Sequence, residues 1–322
     1  TEDNIINTVK TMAPIYSLSV AEVEKVSSLI LEMTRHRLSE GVSIHAPHEN
    51  WYYSRKSQID LSLSDRHLEY LRKQGLSQDV VNKLDNCTDE IVNYLGDPTK
   101  GAFFRRGLVM GDVQSGKTNT YMLICNKAAD AGYKVIIILT SNIGSLRKQT
   151  QQRADSALIG KDSDRNRDDR WNLIGVGEIN PDPIVQAFTS YSGDFSAVVA
   201  NTNGFQVRGL NMDPCVLVVK KNKDILHNLS EWLRDRNMIG DSKINQSLLI
   251  IDDEADYASV NTKKEDQSKI NEHITTILSM FTRASYCGFT ATPFANIFIN
   301  PDNERDLFPS DFIYCLGSAD NY

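Results

Sequence analysis

No run of apolar residues in this 322-residue chain approaches the ~18 needed to cross a bilayer as a helix, so no membrane span is expected. The start, Thr1-Glu2-Asp3-Asn4, is polar and acidic and has none of the charged and apolar regions of a signal peptide. It also lacks an initiator methionine, which marks the numbered chain as processed or as an excerpt. Cysteine is scarce and scattered: Cys87, Cys125, Cys215, Cys287 and Cys315 form no C-x-x-C pair, and three lie in apolar runs. Buried reduced thiols in a cytoplasmic protein are the expectation. The six histidines show no metal-ligand spacing; His45 and His48 share a polar loop but have no third ligand beside them. Internal repeats and low-complexity tracts are absent. A net charge of −7 argues against nucleic-acid binding by bulk charge, though not against a local basic groove.

What is there reads as two regions. Residues 1–100 are expected to form a helical domain. Ser19-x-x-Glu22 makes a capping box, and Val20, Val23, Val26, Ile30, Met33 and Leu38 follow at near-helical spacing. After Gly41 and Pro47 comes Trp51-Tyr52-Tyr53 with Arg55 and Lys56, either a hydrophobic anchor on the core or a platform stacking on a base. Further helical stretches run over residues 65–72, 78–84 and 88–95, closed by Gly96-Asp97-Pro98. From about residue 101 short β-branched runs alternate with helices. Strands are expected at 107–110, 135–140, 215–219, 247–251 and 286–290, each apolar enough for burial on both faces of a parallel sheet. The fold class is therefore α/β, with loops at the carboxyl edge of the sheet carrying the chemistry. Residues 160–170 are charge-dense and read as a solvated loop.

Gly111-Asp112-Val113-Gln114-Ser115-Gly116-Lys117-Thr118 fits the phosphate loop G-x-x-x-x-G-K-[ST] at every fixed position, between an apolar strand and a helix. Backbone amides of Gly111, Gln114, Ser115, Gly116, Lys117, Thr118 and Asn119 are placed to cradle phosphates, aided by the helix N-terminus. Lys117 should reach the β- and γ-phosphates, and the Thr118 hydroxyl should ligate Mg²⁺.

A second signal is the apolar run at 248–251 ending in Asp252-Asp253-Glu254-Ala255-Asp256. Carboxylates at a strand end hold Mg²⁺ and position water in phosphate-loop enzymes. Asp253 is the expected metal-side carboxylate, Asp252 its register alternative, and Glu254 the expected general base. The competing reading is an acidic helix cap. In Gly288-Phe289-Thr290-Ala291-Thr292-Pro293, Thr290 and Thr292 can hydrogen-bond that cluster and report which nucleotide is bound, or they can simply end a strand. Finally, Ser141, Asn142, Arg147 and Lys148 after the strand at 135–140, with Lys220 and Lys221 after the strand at 215–219, offer the hydroxyls, amides and cations a phosphodiester strand needs. A plain surface helix could look the same.

In this order the four segments resemble the first RecA-like domain of superfamily 2 helicases: motif I at the phosphate loop, Ia at 140–150, Ib around Lys220, a literal DEAD motif II at 253–256, and motif III at Thr290-Ala291-Thr292. Ala129-Asp130-Ala131-Gly132-Tyr133-Lys134, Leu146-Arg147-x-Gln149-Thr150, Gly288-Phe289-Thr290-Ala291-Thr292-Pro293-Phe294-Ala295-Asn296 and the Trp51-Tyr52 segment resemble bacterial Z1-domain proteins over roughly residues 50–322. The resemblance implies a RecA-like phosphate-loop domain at 101–306, a following domain opening at 307–322, and an ATP-driven, Mg²⁺-dependent motor acting on DNA. It also implies an endonuclease family of restriction or anti-phage systems, with methyltransferase or GHKL-type ATPase partners. A second RecA-like domain supplying arginine fingers, and the Z1 domain itself, would lie beyond Tyr322. No D…E-x-K nuclease spacing is found. The excerpt alone is expected to bind nucleotide weakly and hydrolyse it poorly. Two other readings compete: a phosphate-loop switch governing protein assembly without nucleic acid, and a small-molecule kinase, weakened by the lack of an acceptor lid.

Overall fold

The computed structural model describes residues 42–111, 116–164, 172–209, 212–256, 265–291, 307 and 309–317, with isolated positions 10, 19, 20, 23, 24 and 27. Glu22 of the capping box and most of the amphipathic run at 20–38 lie outside these residues, as do Gln114, Ser115 and Thr292.

The architecture is an α/β fold with a mixed, mostly parallel sheet flanked by helices. Its strands are β1 (Val42–His45), β2 (Phe103–Met110), β3 (Val135–Thr140), β4 (Gln186–Ala187), β5 (Cys215–Lys220), β6 (Ile244–Asp253), β7 (Phe281–Thr290) and β8 (Phe312–Cys315). Their order in the sheet is β1-β8-β2-β7-β6-β3-β5-β4, and only the β1–β8 pair is antiparallel. The helices are α1 (Trp51–Arg55), α2 (Ser62–Lys73), α3 (Gln78–Tyr94), α4 (Lys117–Ala131), α5 (Gly144–Ala154), α6 (Val176–Ile179), α7 (Ala197–Thr202), α8 (Lys223–Asn237) and α9 (Glu265–Ser279).

Every residue of β3 is buried, as a central parallel strand requires. The two-residue pleat then divides its side chains. Ile136 and Ile138 join Val216, Val218, Leu249 and Ile251 under α3 and α4, while Val135, Ile137 and Leu139 face α8 and α9 with Leu217, Ile250, Leu229, Trp232 and Ile274. Cys125, Cys215 and Cys287 are buried in these layers, where desolvation pushes their thiols up.

Three expectations are revised. Phe312–Cys315 is not the opening of a following unit: it is β8 of this same sheet, paired along β2 from Gly107↔Phe312 to Met110↔Cys315. The helices at 51–94 do not stand apart from the sheet. Trp51, Tyr52, Ile91, Val92 and Tyr94 share one core with Val109, Ile136 and Phe289, because α3 presents too much apolar surface to stay solvated. Thirdly, the stretches at 78–84 and 88–95 form the single helix α3, continuous through Asp85, Asn86 and Cys87. Trp51 and Tyr52 are the core anchor: the Trp51 indole donates to the Leu95 carbonyl at 2.7 Å, and Asn93 Oδ1 accepts from the Tyr52 amide at 3.0 Å.

Candidate nucleotide site

The carboxyl ends of β2, β6 and β7 open on a cavity of about 920 Å³. β7 stands between β2, which precedes the glycine-rich segment, and β6, which carries the acidic turn. Both signals, far apart in sequence, thus reach one place. Gly116, Lys117, Thr118 and Asn119 line one wall; Asp253, Glu254, Asp256 and Thr290 line another.

The loop enters α4 through Gly116 at φ 75°, ψ 15°, a left-handed conformation that costs an L side chain energy and costs glycine little. Lys117 follows as the first helical residue, and its Nζ donates to the Gly111 carbonyl at 2.8 Å, folding back across the loop. The Thr118 hydroxyl accepts from Arg153 Nη1 of α5 at 2.7 Å.

At the end of β6 the two aspartates have different surroundings. Asp252 is completely buried; Lys221 Nζ lies 2.9 Å from its Oδ1, and the Tyr286 hydroxyl donates to its Oδ2 at 2.7 Å. A carboxylate so enclosed has no access to the cavity, so Asp252 is corrected from an alternative metal ligand to part of the core. Asp253, one residue on, points the other way in the pleat and lines the cavity. Tyr121 sits 3.4 Å from its Oδ2. Burial raises the Asp253 carboxyl above its usual range, the neighbouring charges of Glu254 and Asp252 add to this, and Lys221 opposes it. A cation here would relieve that cost.

Glu254 turns the chain at φ 58°, rare for a non-glycine residue and concentrated at functional sites. The turn is pinned from both sides. Ala255 N–H donates to the Phe289 carbonyl at 2.9 Å, and Lys221 Nζ donates to the carbonyls of Asp253 and Glu254 at 2.9 and 2.6 Å. Thr290 Oγ1 donates to Asp256 Oδ1 at 2.8 Å, joining the end of β7 to the acidic turn.

The proposed nucleic-acid edge is reduced. Lys221 is completely buried under the acidic turn, so it does not face a solvent groove. Arg147 is buried as well. Its guanidinium donates to the carbonyls of Gly193 at 3.3 Å and Tyr191 at 2.5 Å, which makes it a clamp on the loop before α7. Both side chains lie inside the fold, where Arg147 donates to loop carbonyls and Lys221 meets the buried Asp252 carboxylate. Lys148 stays exposed over the Tyr191 ring, Asn142 is exposed, and Lys220 lies half-buried 4.0 Å from Asp194. Ser141 is buried, its Oγ accepting from the Ile143 amide at 3.3 Å. β3 and β5 are neighbours, so the loops bearing these residues lie side by side.

Sequence reasoning missed Tyr121 beside Asp253, and His67 and Tyr70 of α2, which line the far end of the cavity. Tyr121 had a usable signal, one helical turn past Thr118. His67 had none, because only packing brings α2 to the site. The residues suit Mg²⁺: this ion keeps waters and takes one or two carboxylates plus substrate phosphates, and Asp253 with the Thr118 hydroxyl offers that partial set. Among the described residues no group of three or more His, Cys, Asp or Glu side chains is placed to hold a metal alone.

No protein-family model and no curated protein matches the chain. Among solved structures, it is similar to the helicase domain of Hef from Pyrococcus furiosus, with 16% identity and a TM-score of 0.36 over 64% of this chain and 32% of that one. It is also similar to the SWI2/SNF2 ATPase core of Sulfolobus solfataricus in complex with double-stranded DNA, with 12% identity and a TM-score of 0.36 over 73% and 38%. A third is the yeast DEAD-box splicing factor Prp28, with 16% identity and a TM-score of 0.44 over 94% and 59%. The chain spans between about a third and three-fifths of the length of these structures. Among the described residues, no helix is long and apolar enough to cross a membrane.

Proposed function

We propose that this chain is a Mg²⁺-dependent ATPase module of the helicase type. One observation carries the reading: Lys117, Thr118, Asp253 and Glu254 line a single cavity at the carboxyl edge of the sheet. In this reading Lys117 neutralises the β- and γ-phosphates, and Thr118 with Asp253 holds the metal. Mg²⁺, when bound, would stabilise charge developing on the transferred phosphoryl group. Glu254 orients the attacking water and accepts its proton, its carboxylate aimed by the pinned left-handed turn. Thr290, tied to Asp256, relays the state of the acidic turn into β7. Lys148, Lys220 and Asn142 are the groups left to meet a DNA backbone. A DNA-directed role in restriction or anti-phage defence, completed by a second RecA-like domain and a Z1 domain, is supported by the Z1-like motifs in the sequence.

The second reading is a switch in which nucleotide controls assembly with partner proteins. It is favoured by the internal use of Arg147 and Lys221, in a chain of net charge −7. ATP hydrolysis, with and without single- and double-stranded DNA, separates the two. Stimulation that falls steeply with salt supports the motor. Hydrolysis indifferent to DNA supports the switch, and absence of nucleotide binding overturns both.

A further inference from the structure

The guanidinium of Arg153 enters the nucleotide cavity from α5, an element that supplies neither the phosphate loop nor the acidic turn. Its described hydrogen bond goes to the Thr118 hydroxyl at 2.7 Å. None of the ion pairs between described residues involves Arg153, although Asp253 and Glu254 line the same cavity. A cation that faces a phosphate cavity without a carboxylate partner has its charge available to an anion.

Its setting is organised. Gln149, Gln152, Arg153 and Ser156 all line the cavity, and their spacing of three and four residues puts them on one face of α5 and the turn that continues it. The opposite face is fixed. Arg147 clamps the carbonyls of Gly193 and Tyr191, Ala154 is buried, and Gln151 Nε2 donates to Asp155 Oδ1 at 2.9 Å. Gly160 closes the turn so near α6 that a Cβ on Gly177 would lie 2.0 Å from the Gly160 carbonyl oxygen. The helix is therefore held in place while Arg153 itself remains solvent-exposed.

We propose that Arg153 is a phosphate-contacting residue supplied within this domain, which engages the terminal phosphate of a nucleoside triphosphate and thereby couples α5 to the nucleotide state. The proposal rests on the nucleotide-binding reading above. Mg²⁺ and the guanidinium both seek the Thr118 hydroxyl, and their like charges repel unless an anion lies between them. With metal and triphosphate bound, Arg153 turns from the hydroxyl to the phosphate oxygens. With a diphosphate the terminal phosphate is missing and Arg153 has less anion to meet. The helix that carries Arg153 also carries Lys148, which rests over Tyr191 at 5.2 Å, so a change at the nucleotide reaches the candidate nucleic-acid edge through one rigid element.

The test is equilibrium binding of a non-hydrolysable ATP analogue and of ADP, with Mg²⁺, to the whole chain and to Lys117→Ala, Arg153→Ala and Arg153→Lys. Circular dichroism of each variant checks the fold. Arg153→Ala should weaken the triphosphate analogue about tenfold or more and ADP less than about twofold, and Arg153→Lys should recover part of the difference. Equal affinity of wild type and Arg153→Ala for the analogue, with Lys117→Ala defective, overturns the role of Arg153 and leaves the nucleotide site standing. Equal weakening of analogue and ADP assigns Arg153 to the structure of the loop and also overturns the proposal. Failure of the wild-type chain to bind either nucleotide removes the underlying reading and this inference with it.

Discussion

Replacing Lys221 by methionine should unfold much of what makes the acidic turn competent. Lys221 Nζ is completely buried, 2.9 Å from Asp252 Oδ1, and donates to the carbonyls of Asp253 and Glu254. Methionine keeps most of the volume and removes all of these interactions. Asp252 would keep its bond from Tyr286 and lose the charge that offsets its burial. Breaking one side of a buried ion pair costs about 3–5 kcal/mol. Against a typical domain stability of about 5–15 kcal/mol, the variant should be marginal at room temperature. Urea unfolding followed by circular dichroism and tryptophan fluorescence gives the difference directly. Adding Asp252→Leu to Lys221→Met removes the stranded carboxylate and should recover at least about half the loss, since replacing both members of a buried pair is often near neutral. A cost for Lys221→Met below about 1 kcal/mol, the scale of exposed pairs, would show that Lys221 faces solvent and refute the placement.

Three further outcomes follow from the same geometry. Lys117→Ala should abolish productive nucleotide binding, whereas Glu254→Gln should keep binding and stop hydrolysis; normal turnover in Glu254→Gln removes it as the base. Charge reversal at Lys148 and Lys220 should flatten the salt dependence of DNA binding, while Arg147→Ala should instead lower stability, by losing its bonds to the Gly193 and Tyr191 carbonyls; filter binding over a salt series together with thermal melts distinguishes these. His67 is buried against Asn126, and desolvation lowers its pKa from 6.5 to about 3, with the Arg66 charge adding to this. Below pH 6.5 the unfolded chain therefore binds the proton first, so the stability present above 6.5 drains away as pH falls towards 3. His67→Phe should flatten that part of the acid-unfolding curve, and an unchanged slope would refute the assignment.

The α/β class and the approximate positions of β2, β3, β5, β6 and β7 were legible because they depend on local pattern, whereas β1 and β4 were not expected. A central parallel strand must be apolar along its length, as β3 and β5 are, and a phosphate loop needs glycine where φ is positive. Strand ends were harder to read. β2 begins at Phe103 rather than 107 because pairing with β7 from Phe103↔Arg283 holds Phe103-Phe104-Arg105-Arg106 in the sheet. β8 looked like the opening of another unit because a sequence does not show which neighbour a strand will pair with.

What the sequence by itself determined was the contiguous runs on which the proposed chemistry rests: the loop Gly111 to Thr118, the carboxylates 252–256, and Thr290 at the end of its strand. Periodicity and turn chemistry act over a few residues and leave their mark there. Only the tertiary structure decided which aspartate faces the cavity, that Lys221 and Arg147 serve the interior, and that Arg153 reaches Thr118. Those outcomes depend on which carbonyls and carboxylates are buried once the layers close. A buried polar group must find its partner wherever the fold brings one, however distant in the chain.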